Sequence, residues 1–282
     1  MTDEPRYGQR AGWPGARPEG FGPQSTGDPS PRDSESYQPT RPQTPQRAPR
    51  PSRGRSGGLL SQLSFSNLPV TTALIAINAL MGVAQLFSSQ VTNWTAFSPV
   101  AGYLQPWRFL TAAFVHGGFF HLLFNMMMLL ALGQSVERAL GWWRYLSVYL
   151  LSAFAGSMGM LAWVFVDQNS WQTWSLGASG AVYGLIAAVF VLQKRSGMST
   201  QSILILLGIN VVYGFVVPGI AWQAHVGGFL GGLIVSAVFL NVAEKTLRIP
   251  PKARTRIALA ALAGLVVLFV GATWGIYALL LR

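Results

Sequence analysis

The chain has 282 residues, of which 51% are hydrophobic and 10% charged, with a formal net charge of +11 and no cysteine. A soluble domain carries about 25% charged residues, so this chain has too few to cover a water-facing surface. The missing cysteines exclude disulfides, thiolate metal sites and a cysteine nucleophile. The Lys and Arg residues sit between long apolar runs and not on one face, which argues against a nucleic-acid partner despite the charge.

Residues 1–58 hold 11 of the 17 prolines, many Arg, Ser, Gly and Gln, and almost no aliphatic residues. Such a segment cannot bury enough apolar surface to offset its ordering entropy, so it is expected to be a disordered tail. It contains nothing like the apolar core of a secretory signal peptide.

From Leu68 onward the pattern changes. A bilayer-spanning helix needs about 20 mostly apolar residues. Seven stretches qualify or nearly so: 68–88, 118–137, 145–166, 179–193, 202–218, 223–243 and 257–281. The fold class predicted is an all-α polytopic membrane protein. The fourth stretch ends before Lys194 and Arg195 and is about 22 Å long as a helix, short of a hydrocarbon core of about 30 Å. A short helix can begin below the membrane surface, fed by a loop that is tolerated at that depth when buried in protein or facing water.

Orientation follows from the basic residues. Arg50, Arg53 and Arg55 precede span one, Arg138 and Arg144 separate spans two and three, and Lys194 and Arg195 follow span four. Lys245, Arg248, Lys252, Arg254 and Arg256 lie between spans six and seven. All fall on one side, which predicts a cytoplasmic N-terminus and an outer C-terminus. The segment 89–117 becomes an outer loop containing Trp107-Arg108.

Spans two, four and six then run from outside to inside. Polar residues cluster near the start of each: His121 and Asn125, Ser179, and His225. Histidine inside a membrane segment is rare and is by default a functional hypothesis. His116, His121 and His225 are the chain's three histidines, and all fall at this level.

The local chemistry suits nucleophilic catalysis. Ser179 follows Gly177-Ala178 and precedes Gly180, at a loop-to-helix junction where small neighbours let a substrate backbone approach. A serine hydroxyl needs an adjacent base, and His225 can supply it if spans four and six pack tightly. Gly227, Gly228, Gly231 and Gly232 form two overlapping Gly-x-x-x-Gly pairs, with Gly180 and Gly184 opposite them, which allow that approach. His121 and Asn125, spaced i, i+4, share a face and can act with the Ser179 N–H as an oxyanion hole. The membrane region has three acids, Glu137, Asp167 and Glu244, none expected near the site, so a Ser-His dyad is predicted with Tyr183 as the residue that holds the His225 ring.

Each signal has a plainer reading. A serine at a helix start is commonly an N-cap, Gly-x-x-x-Gly pairs commonly serve packing alone, and an intramembrane Asn commonly joins helices. Three histidines could ligate a metal, but no His-Glu-x-x-His is present and no carboxylate sits at that depth. A transporter would show internal repeats and a charged midplane site, and neither is visible.

The run His116–Asn125, the stretch Glu137-Arg138-Ala139-Leu140-Gly141, the Gly177-Ala178-Ser179-Gly180 motif with Tyr183, the run Ala224-His225-Val226-Gly227-Gly228 and Trp107-Arg108 together resemble the rhomboid intramembrane serine proteases. The resemblance covers residues 68–243. It implies a rhomboid-like six-helix bundle at 59–243, with 244–282 adding a basic loop and a seventh span. It also implies Ser179 as nucleophile, His225 as general base, and His121, Asn125 and the Ser179 amide as oxyanion hole. No cofactor or metal is implied. The partners implied are the lipid bilayer and single-pass transmembrane protein substrates, cut near the outer boundary at a small residue in a helix-breaking segment. Span five and the loop before span six would form the gate. A bacterial inner membrane fits this compact arrangement. A non-catalytic rhomboid-like chaperone is the competing reading; such relatives lack the Ser or the His, and both are present here.

Overall fold

The computed structural model describes residues 68–217 and 219–282. The expected disordered tail at 1–58 lies outside the described residues. Ten α-helices are present among them: α1 Pro69–Phe87, α2 Ser89–Thr95, α3 Pro99–Leu104, α4 Arg108–Thr111, α5 Phe119–Leu140, α6 Trp142–Trp163, α7 Ser179–Arg195, α8 Gln201–Val216, α9 Trp222–Lys245 and α10 Pro251–Leu280. The fold is all-α and polytopic.

Seven of these helices correspond to the seven predicted spans. α1, α5, α6, α9 and α10 are long and apolar enough to cross a membrane. α7 has 17 residues and α8 has 16, so both are short, as the sequence suggests for the fourth span. α10 begins six residues before the predicted span: Pro251 is well suited to a first helical position, and Lys252, Arg254 and Arg256 occupy its first turns. Large apolar side chains such as Leu86, Phe87, Phe119, Phe120, Ile209 and Val267 are exposed on the outside of the bundle, the arrangement expected of lipid-facing surfaces.

The segment 89–117 is more ordered than a plain loop. Ser88 and Ser98 cap α2 and α3 through their hydroxyls, which accept from Gln90 N and Ala101 N at 3.3 Å. Arg108 is buried and gathers the segment: Nε donates to Gln105 Oε1 at 2.7 Å, and the two terminal nitrogens donate to Ala96 O and Asn93 O. Its guanidinium also lies 5.7 Å from the centre of the Trp174 ring. A buried charge is tolerated because its donors are satisfied by carbonyls.

α9 lies against both α6 and α7, and the three helices meet through small residues. A Cβ on Gly227 would strike Ala155 O, and one on Gly159 would strike Gln223 O. On the other flank, a Cβ on Gly228 would strike Gly180 O, and one on Gly232 would strike the backbone of Gly184. A Cβ on Gly231 would meet the Ala155 side chain. Apolar burial gives helices little reason to associate in lipid, so this backbone-to-backbone contact and its dispersion attraction hold the trio together. At the opposite end from the site, Glu137 caps α1. Its carboxylate accepts from Val70 N at 3.0 Å, Thr71 N at 2.9 Å and Thr71 Oγ1 at 2.6 Å. A negative charge there meets the unpaired amides and positive end of the α1 dipole.

Candidate active site

The site begins with the entry into α7. Gly177 has φ +121°, a conformation side chains resist, and a Cβ there would lie 2.6 Å from His121 Cε1 and 2.7 Å from His121 Nε2. Glycine is required twice over, by backbone angle and by the imidazole seated on it. Gly177 N donates to Ala112 O at 2.8 Å, which ties the backbone entering α7 to the 89–117 segment. Ala178 is the N-cap of α7 and Ser179 its first helical residue.

The Ser179 hydroxyl does not cap the helix. It lies 3.0 Å from His225 Nε2, across the α7–α9 contact that Gly180 and Gly228 make close. Both residues are partly exposed, so the pair is reachable. The His225 ring stacks on Tyr183, with centroids 4.2 Å apart and planes 12° from parallel. Tyr183 is buried one turn after Ser179, so the same helix carries both the hydroxyl and the surface that orients the imidazole. The Nδ1 side of the ring faces Gly214 of α8, where a Cβ would be 3.7 Å away.

Among the described residues no carboxylate bonds to His225. Asp167 instead caps a 3-10 turn through Asn169 N and Ser170 Oγ, Glu137 caps α1, and Glu244 pairs with Arg195. No group of three or more His, Cys, Asp or Glu able to hold a metal occurs among them either.

Two further histidines adjoin this pair. His116 is buried, and its Nε2 accepts from Ala178 N at 3.4 Å, directly before Ser179. Gln85 holds the His116 backbone at both ends, donating to its carbonyl and accepting from its amide, each at 2.9 Å. The His116 and His121 rings meet edge to face at 5.2 Å. His121 Nδ1 accepts from Gly117 N at 3.2 Å, which leaves Nε2 on the Gly177 side. Asn125 is buried on the same face of α5, and Nδ2 donates to His121 O at 2.8 Å. That bond uses one of two amide hydrogens and turns the group along its own helix. Ser179, His225, Tyr183, Gly177, Gly180, His116 and His121 are thus brought together; Asn125 stands beside them with part of its donor capacity spent.

The sequence reading missed Gly156 and Gly159 of α6. A Cβ on Gly156 would be 3.0 Å from Ala224 O, immediately before His225. The run Ser152–Gly159, rich in Ser, Ala and Gly, carried the signal. It also missed Gln85, a polar side chain in an apolar span that gave little hint of its partner 31 residues on.

Comparison with known proteins bears on the family of the chain. Residues 103–242 match the family model of the Rhomboid domain. The chain is 32% identical over 192 residues to the putative rhomboid protease YdcA of Bacillus subtilis, covering 64% of this chain and 92% of that protein. It is 34% identical over 136 residues to the rhomboid protease GluP of the same organism, covering 46% of this chain and 25% of that one. It is 35% identical over 141 residues to RHOMBOID-like protein 4 of Arabidopsis thaliana, covering 48% of this chain. The chain spans between 34% and 44% of the length of three such plant relatives. With 92% of one relative matched at 32% identity, and with a multi-pass helical fold, the chain belongs to the rhomboid family.

Proposed function

We propose that the protein is an intramembrane serine endopeptidase that cleaves single-pass transmembrane proteins near the outer membrane boundary with a Ser179-His225 dyad. The observation that carries this reading is the 3.0 Å contact between His225 Nε2 and Ser179 Oγ, with the imidazole stacked on Tyr183. For the serine to react, Nε2 accepts the hydroxyl proton and Nδ1 carries its own.

Ser179 Oγ attacks the scissile carbonyl carbon as its proton passes to His225 Nε2. The carbonyl oxygen becomes an oxyanion, met by the Ser179 amide at the α7 N-terminus, by His121 Nε2–H and by the second amide hydrogen of Asn125. For this His121 keeps its proton on Nε2, the tautomer that suits Nδ1 accepting from Gly117 N. His225 then donates its proton to the leaving amine, and the C–N bond breaks to leave an acyl-Ser179. Water, deprotonated by His225, attacks the ester and frees the serine. His116 supports this by holding Ala178, and Gly184, Gly227, Gly231 and Gly232 keep α9 at the required distance.

In this reading 59–243 is the catalytic core, 244–282 adds a basic loop and the seventh span, and 1–58 is a cytoplasmic tail. The basic residues near 245–256 face the cytoplasm of a bacterial inner membrane, and the site lies near the outer face. No cofactor takes part. The test is cleavage of a reporter membrane protein in proteoliposomes. Parent protein should cut it, and Ser179→Ala and His225→Ala should not. Equal cleavage by either variant would refute the dyad. Binding of the reporter without cleavage by the parent would favour the chaperone reading.

A further inference from the structure

The outer end of α10 forms an aromatic corner with the 89–117 segment. Tyr277 is 2% exposed, and its hydroxyl donates to Pro99 O at 2.8 Å across 178 residues. Its ring lies 5.2 Å from Tyr103, 6.1 Å from Trp171 and 6.4 Å from Phe109 between centroids. A buried phenol hydroxyl without a partner is costly, and a backbone carbonyl at a helix start supplies one here.

Pro99 is two residues from Phe97, which is fully buried and packs on Phe109 at 4.6 Å. The Phe97 backbone exchanges two hydrogen bonds with Ser175, at 2.9 and 2.7 Å. That pair is the one β-bridge among the described residues. Ser175 is four residues before Ser179, and the backbone between them passes Gly177, itself tied to Ala112 O. A bonded path therefore runs from the Tyr277 hydroxyl through Pro99 and Phe97 to the backbone that enters α7. α10 also packs lower down, where Phe269 faces Gly231, so the upper contact is not needed merely to dock the helix.

We infer that α10 belongs to the scaffold of the site, with Tyr277 as a positioning residue that fixes the Pro99–Phe97 segment and, through the Ser175 bridge, the backbone leading into Ser179. The expected effect on rate rests on the proposed chemistry of Ser179; the expected effect on the backbone does not.

Tyr277→Phe keeps the ring and deletes the hydroxyl. Thr273→Val is the matched control, because it deletes another buried α10 hydroxyl that bonds Phe269 O within its own helix. Both are compared with the parent for kcat and KM on the reporter, and for hydrogen exchange at the Phe97, Ser175 and Gly177 amides. Tyr277→Phe should lower kcat about three- to tenfold with KM unchanged and speed exchange at Phe97 and Ser175, the size expected for one lost hydrogen bond. Thr273→Val should match the parent in each readout. Parental exchange in Tyr277→Phe, faster exchange with parental kcat, or the same changes in Thr273→Val would overturn the inference. A parent that cleaves nothing refutes the proposed function instead, and the exchange comparison then still decides the positioning.

Discussion

α6, α7 and α9 touch through glycines and small side chains, while α8, beside the same site, turns Leu204, Ile205, Ile209, Val212 and Val216 outward and keeps Ile203 buried. Both regions adjoin His225: α9 carries it, and Gly214 of α8 faces its Nδ1. The contrast is in what holds them. The trio is fixed by backbone contacts that no rotamer change can relieve, whereas α8 is held by few side chains. Under the proposed function, a reaction that needs Ser179 and His225 kept 3.0 Å apart would be served by the first kind of packing, and admission of a helical substrate by the second.

The largest expected effect separates chemistry from packing. Ser179→Ala should lower reporter cleavage by more than about a thousandfold while leaving the thermal midpoint at the parental value. A shared loss of activity and stability would mean that the hydroxyl serves packing. Next comes the packing itself. Gly228→Ala places a Cβ on Gly180 O, which is backbone and cannot turn aside, so α7 and α9 must separate. It should destabilise by about 1–3 kcal/mol in a reversible unfolding assay and abolish most cleavage. Gly208→Ala in α8, where a Cβ meets nothing within 4 Å, should instead be neutral or stabilise by up to about 1 kcal/mol. Similar losses at both positions would erase the distinction between the regions.

Tyr183→Leu removes the ring under His225 and should reduce kcat about tenfold, the value of one aromatic contact, with KM nearly unchanged. Tyr183→Phe should keep most of the activity, since the stacking face is retained. The smallest effect belongs to α8: Ile209→Ala, at an exposed position, should shift stability by less than about 0.5 kcal/mol by the same unfolding assay.

The trio and the periphery also differ in how legible they are from sequence. The seven span helices stand out because lipid demands apolar runs, and their observed ends lie within a few residues of the expected ones except at Pro251. Ser179, His225, His121 and Asn125 can be placed at one depth from topology alone. Tyr183 follows from a one-turn offset on the helix of Ser179. The α6 face could not be read, because Gly156 and Gly159 show their role only against Ala224 O and Gln223 O, 68 and 64 residues on. The same holds for Arg108, whose backbone carbonyl partners Asn93 and Ala96 lie at the end of α2, and for Tyr277, whose partner is 178 residues away. Asn125 differs in kind: its spacing puts it on the right face, but the His121 carbonyl is closer to its amide than any sequence pattern reveals.

The dyad is tested most directly by a fluorophosphonate serine probe, which reads the nucleophile without a substrate or a gate. Detergent-purified parent should be labelled on Ser179, with labelling absent in Ser179→Ala and strongly slowed in His225→Ala. Folded parent that resists the probe, or labelling that persists in Ser179→Ala, would contradict an activated serine at the α7–α9 contact.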